Sequence, residues 1–108
     1  MNKRENIIVD GKHEKSILLD AYWQTNDNAK SIVVFAHGFK GFKDWGTWWK
    51  IGEEIVNAGF VFIKMNFSHN GTTPENPLEF GDLEAFGQNN YEIELDDLDC
   101  VLDWISNQ

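Results

Sequence analysis

Two short apolar runs constrain this chain more than any other feature. Ser31-Ile32-Val33-Val34-Phe35-Ala36 and Phe60-Val61-Phe62-Ile63-Lys64-Met65 are dominated by β-branched and aromatic residues and show no regular polar alternation. Runs of this kind form strands covered on both faces, as in parallel sheets. Between them Trp48, Ile51, Ile55 and Ala58 recur at helical intervals, which predicts a helix with these four side chains on its packed face. Thr47 is placed to cap its start and Gly59 its end. Strand, helix and strand make a βαβ unit, whose crossover should be right-handed.

The flanking segments extend this unit. Asn6 to Asp10 and Lys15 to Trp23 are strand-like and are separated by Gly11-Lys12-His13-Glu14, which predicts a hairpin. Asn66 to Asn90 holds both prolines and several glycines and reads as a long irregular excursion over the surface. A second helix is expected from about Tyr91 to Ile105, with Tyr91, Leu95, Leu98, Leu102 and Ile105 on one side and acidic residues on the other. Glu92 and Glu94 suit the positive end of its dipole. The fold class is therefore α/β: an antiparallel hairpin followed by a βαβ unit, about four strands with two helices. Residues 1–108 read as one partial domain, because a helix in such a fold returns the chain to a further strand.

Composition narrows the function classes. With 42% hydrophobic and 14% aromatic residues the chain can bury a core. Eighteen acidic against nine basic side chains give a formal charge of −9, which disfavours nucleic acid and anionic membranes as partners. No run reaches the roughly 20 apolar residues of a membrane span, and the start carries no signal-peptide stretch. A cytoplasmic location is expected, in keeping with the single Cys100.

The segment that points to chemistry is His37-Gly38-Phe39-Lys40-Gly41-Phe42, directly after the first buried strand. Ligand sites of open α/β sheets lie outside the carboxyl ends of strands, and the glycines let backbone N–H groups approach a bound oxygen. Such donors can stabilise the charge that develops on a carbonyl oxygen during acyl transfer. A strand followed by His-Gly-Phe and a second glycine three residues later resembles the oxyanion loop of α/β-hydrolases, especially dienelactone-hydrolase-like and acyl-peptidase-like members. Phe62-Ile63-Lys64-Met65-Asn66-Phe67-Ser68-His69-Asn70-Gly71-Thr72 is similar to the strand and turn that carry an Asp-x-Arg-Gly-His-Gly-like sequence in those enzymes.

The resemblance implies that the chain is the N-terminal half of an α/β-hydrolase sheet, with the four strands in the spatial order first, second, fourth, third. It implies an oxyanion loop of His37, Gly38 and Phe39, with the Phe39 N–H as donor and His37 structural. Lys40, Phe42, Ser68 and His69 are the candidate pocket-lining residues. No Gly-x-Ser-x-Gly is present, and the catalytic acid and histidine of the family follow that motif, so nucleophile, acid and base are all missing. Ser68 and His69 are a poor substitute in an extended segment, where adjacent side chains point to opposite faces.

Other motifs fail on detail. Gly41 and Gly46 have phosphate-loop spacing, but Thr47 stands where Lys is required. The histidines and Cys100 lack metal-ligand spacing, and the acidic run from Glu92 to Asp103 lacks the pattern of a calcium loop, so no metal or cofactor is expected. Trp45, Trp48 and Trp49 read as aromatics packed on the sheet rather than as an acyl pocket. The expected function is that of the first portion of a serine hydrolase acting on an ester, thioester or small amide substrate, inactive by itself. The alternative is a non-catalytic interaction module on the same half-fold. Self-association through the strand Ser31 to Ala36 is expected, because it would lie at a sheet edge without charge, proline or bulge.

Overall fold

A computed structural model describes residues 1–25, 31–38 and 41–108. The elements are β1 (Asn2–Asp10), β2 (Ser16–Trp23), β3 (Ile32–Ala36), α1 (Trp48–Asn57), β4 (Val61–Asn66), α2 (Leu83–Gln88) and α3 (Tyr91–Ser106). One four-stranded sheet has the order β1-β2-β4-β3. The β1–β2 and β2–β4 pairs are antiparallel and β3–β4 is parallel. Hairpin, βαβ unit and strand order agree with the expectations, and β3 is an edge. The short α2 is an addition within the stretch expected to be irregular. No helix among the described residues is long and apolar enough to cross a membrane.

The two faces of the sheet are built differently. On one, Ile17, Leu19 and Ala21 of β2 and Ile63 and Met65 of β4 join Val9, Phe67 and Val101 in an apolar core under α3. On the other, α1 approaches β4 so closely that a Cβ on Gly52 would lie 2.6 Å from the ring of Phe62. Gly52 and Val56 form the buried line of α1, while Ile51 and Ala58 are exposed. The helix is therefore turned from the expected face, because only glycine permits that approach. Trp48 stacks on Phe35 at 4.4 Å between ring centroids, whereas Trp45 and Trp49 are exposed.

The ends of α1 follow local chemistry. Thr47 occupies the N-cap position without a side-chain hydrogen bond. At the other end Gly59 has φ +97°, and the N–H groups of Gly59 and Phe60 donate to the carbonyls of Val56 and Ile55. This is the Schellman pattern, in which a left-handed glycine reverses the chain and satisfies two terminal carbonyls.

The rotation of α3 also departs from the sequence pattern. Ile93, Asp97 and Val101 are its buried residues, while Tyr91, Leu95 and Leu102 are exposed. Asp97 accepts hydrogen bonds from the Ser68 N–H and hydroxyl, so its row faces the sheet, while Leu98 and Ile105 of the expected face still pack against the core from its side. Asp96 and Asp99 reach His13 and Lys12 in the β1–β2 turn, at 2.7 and 2.6 Å.

On the α1 face three buried charges, Asp20, Lys43 and Lys64, meet the half-buried Asp44. Asp20 and Lys64 are directly opposed in the β2–β4 register. Lys43 enters from the loop after β3 and bonds Asp20 at 3.0 Å and Asp44 at 2.7 Å. Lys64 bonds Asp44 at 3.0 Å. Burial pushes the Asp44 carboxyl up, but the Lys43 and Lys64 ammonium groups outweigh it and hold the carboxyl below its ordinary range. A bulge in β1 completes the group: the register shifts between Arg4 and Ile7, Asn6 adopts φ +56°, its N–H donates to Asp20 and its side-chain oxygen accepts from Lys43. Asparagine tolerates this left-handed conformation better than most residues.

Removing one member of a buried charge group leaves its partners desolvated and unpaired, whereas an exposed pair contributes little. Asp20→Ala should therefore lower unfolding free energy by about 3–5 kcal/mol, while Lys12→Ala, which breaks the exposed Lys12–Asp99 pair, should leave stability nearly unchanged. Urea unfolding of both variants beside the parent chain checks the contrast.

Candidate functional site

A cavity of about 520 Å³ lies at the carboxyl ends of β3 and β4. Ala36, His37 and Gly38 form one wall, Phe67 and Asn70 the floor, and Phe86, Asn89, Asn90, Tyr91 and Glu94 the opposite wall. It sits where ligands bind in open α/β sheets. A larger share of apolar lining marks a second cleft of about 350 Å³ at the other end of β3, between Ile32, Val61 and Trp104, but that cleft is remote from the glycine loop.

His37 is built in as a clamp. The backbone N–H of Phe67 donates to its Nε2 at 3.3 Å, so the ring proton must reside on Nδ1, which donates to the Gly38 carbonyl at 2.9 Å. Burial keeps the imidazole neutral by pushing its pKa below 6.5. The ring also meets Phe67 edge-on at 5.0 Å. With both nitrogens committed, His37 joins the exits of the two parallel strands and has no free nitrogen for proton transfer.

Gly41 closes the loop. Its N–H donates to the Gly38 carbonyl at 2.9 Å, and a Cβ there would stand 2.9 Å from that oxygen and from the His37 Cβ. Two asparagines, one ending β4 and one beyond it, hold the returning chain: Asn66 accepts from the Lys43 N–H at 2.6 Å, and Asn70 reaches the Gly41 carbonyl at 3.4 Å. Asn70 in turn accepts from the N–H and hydroxyl of Thr72.

Phe39 and Lys40, on which the oxyanion donor and one pocket-lining expectation fall, lie outside the described residues. Phe42 packs edge-on against Phe80 at 5.8 Å. Ser68 and His69 are buried and turn toward α3 and the β1–β2 turn, where His69 meets the His13 ring at 6.4 Å. Asn89, Asn90, Tyr91 and Glu94, from the start of α3, line the cavity instead.

The relation between Ser68 and His69 corrects the sequence argument. Ser68 Oγ lies 2.7 Å from His69 Nδ1. The two side chains share a side because the chain turns there, with the Asn70 N–H donating to the Phe67 carbonyl, so strand alternation does not apply. The wiring nevertheless differs from that of a catalytic triad. Asp97 accepts the Ser68 hydroxyl at 2.8 Å and the Ser68 N–H at 2.8 Å, so an ionised Asp97 takes the serine proton and His69 donates to Oγ. In a triad the carboxylate orients the histidine, and the serine proton points to the base. Burial raises the Asp97 carboxyl and lowers the His69 imidazole. The residues from Phe67 to Thr72 are thus a buried polar knot rather than a surface excursion.

No group of three or more His, Cys, Asp or Glu that could hold a metal occurs among the described residues. No protein-family model matches the chain, and no curated protein matches it.

The two buried histidines contribute to the acid limb of stability, above the range in which the lowered Asp44 carboxyl does the same. Both have folded-state pKa values below the ordinary 6.5, so the unfolded chain binds more protons as pH falls toward and below that value. Their contribution is present above 6.5 and is lost on acidification through the interval beneath it. The raised Asp97 carboxyl acts in the opposite sense at lower pH, near the carboxylate range. Urea midpoints should therefore decline from neutral pH toward mildly acidic pH, and His37→Gln with His69→Gln should flatten that slope while lowering the neutral-pH midpoint.

Proposed function

We propose that this chain forms the first half of a serine-hydrolase domain acting on an ester, thioester or small amide. The observation that carries the reading is the clamped His37-Gly38 turn at the carboxyl end of β3, opening on the cavity walled by the start of α3. Support also comes from the β1-β2-β4-β3 order, which is the order the family resemblance implies.

In this reading the cavity receives the acyl group, and the loop supplies a backbone donor, that of Phe39, to the developing oxyanion. His37 holds the loop and takes no proton. Ser68 is not the nucleophile, because its hydroxyl is tied to Asp97. A nucleophile, acid and base then come from residues outside this sequence, and no metal or cofactor takes part. The lone Cys100 thiol suits action in the cytoplasm.

Fluorophosphonate labelling tests the assignment. The 108-residue chain should remain unlabelled at Ser68 and should not hydrolyse nitrophenyl acetate above a denatured control. The polypeptide encoded by the gene should label at a serine within Gly-x-Ser-x-Gly. Labelling of Ser68, or an encoded polypeptide without such a serine, would overturn the reading.

A further inference from the structure

The cavity at the carboxyl ends of β3 and β4 has a one-sided chemistry. Glu94 is the only side chain of its lining that carries charge, since burial keeps His37 neutral. Three of the polar side chains have a donor already committed within the protein. His37 Nδ1 donates to the Gly38 carbonyl, Asn70 Nδ2 to the Gly41 carbonyl, and Asn89 Nδ2 to Glu94 Oε2 at 3.3 Å.

The acceptors are less committed. The ion pairs among the described residues join Glu5, Asp20, Asp44, Asp82, Asp96 and Asp99 to their cations, and Glu94 takes part in none of them. A carboxylate has about four acceptor positions, so one amide donor leaves most of them open. Asn89 Oδ1, from the same lining, is buried without a hydrogen-bond partner. An ionised carboxylate cannot donate, so the bond to Glu94 fixes which end of the Asn89 amide is the nitrogen. The rings of Phe67, Phe86 and Tyr91 belong to the same lining.

We infer that the cavity takes a ligand with a primary ammonium group on an apolar or aromatic body, the ammonium held by Glu94 with Asn89 Oδ1 as second acceptor, and the body lying against Phe67, Phe86 and Tyr91. An ammonium brings three donors and no acceptor, which complements this lining. Aromatic faces attract cations. The net charge of −9 draws cations toward the surface, whereas a ligand carboxylate would be repelled by Glu94. A volume of about 520 Å³ lies in the range of small-molecule sites. The extension to a reaction rests on the hydrolase reading: there the ammonium belongs to the acyl group, and the substrate is an aminoacyl ester, thioester or amide.

Nuclear magnetic resonance titration of the 108-residue chain with 2-phenylethylammonium, 2-phenylethanol and phenylacetate tests the inference. The cation should shift the Gly38, Asn89 and Glu94 amides and bind roughly tenfold tighter than the alcohol, with phenylacetate weakest. Glu94→Gln should abolish that preference and leave alcohol binding unchanged. Glu92→Gln, which removes the same charge from an exposed position on α3, should leave the preference intact. Equal affinity of cation and alcohol for the parent chain would overturn the inference, and this comparison holds even where a variant folds poorly. So would a preference that survives Glu94→Gln, one that Glu92→Gln also abolishes, or shifts confined to Asp99 and Asp103. Fluorophosphonate labelling of the encoded polypeptide decides the hydrolase reading separately. Cation preference without a labelled serine supports the present inference alone, and a labelled serine without the preference overturns it alone.

Discussion

The group of buried Asp20, Lys43 and Lys64 with half-buried Asp44 is the constraint around which the rest of the chain is arranged. The three buried ions each pay several kcal/mol to leave water, and only close opposite charges and further hydrogen bonds offset that cost. The offsets come from four separate segments. β2 supplies Asp20, β4 supplies Lys64, the segment after the glycine loop supplies Lys43 and Asp44, and the β1 bulge supplies the N–H and side-chain oxygen of Asn6. No segment can move without uncovering a charge. Two of them are strand partners in register, so the group also fixes the β2–β4 pairing.

This arrangement reaches the cavity through Lys43. Its ammonium is anchored among the acids while its backbone N–H is held by Asn66. The chain that follows the His37-Gly38 turn is therefore fastened to the sheet beneath it. His37 fastens the other end of the turn, to the Phe67 N–H. The carboxyl end of β3 is rigidified by hydrogen bonds from both sides, which is the preorganisation that backbone donors need if they are to stabilise a developing charge.

On the opposite face Asp97 does comparable work with a single carboxylate. It satisfies the backbone and hydroxyl of Ser68 and so allows an irregular turn to be buried. The same contact orients α3, with Asp96 and Asp99 toward the β1–β2 turn and Leu95 and Leu102 toward solvent. The polar knot from Phe67 to Thr72 is held by internal partners, and its serine and histidine are spent on that task.

The sequence by itself determined the elements whose signal is local. Unbroken apolar runs at 31–36 and 60–65, helical spacing between them and Gly59 at the helix end were enough for the βαβ unit, because strand propensity, helix periodicity and a left-handed cap each depend on neighbouring residues, although β3 is only half-buried rather than covered on both faces. The glycine loop was legible for the same reason. The faces were not. Apolar periodicity placed Ile51 and Leu95 inward, yet packing turned Gly52 and Asp97 to the sheet, since close approach to Phe62 and the unmet donors of Ser68 lie far away in sequence. Asp20 and Lys64 were visible as charges inside apolar strands, but only register showed that they oppose one another. The side on which Ser68 meets His69 was likewise settled by a turn and not by strand alternation. Local chemistry chooses the conformation of a segment, and partners distant along the chain choose which of its sides is buried.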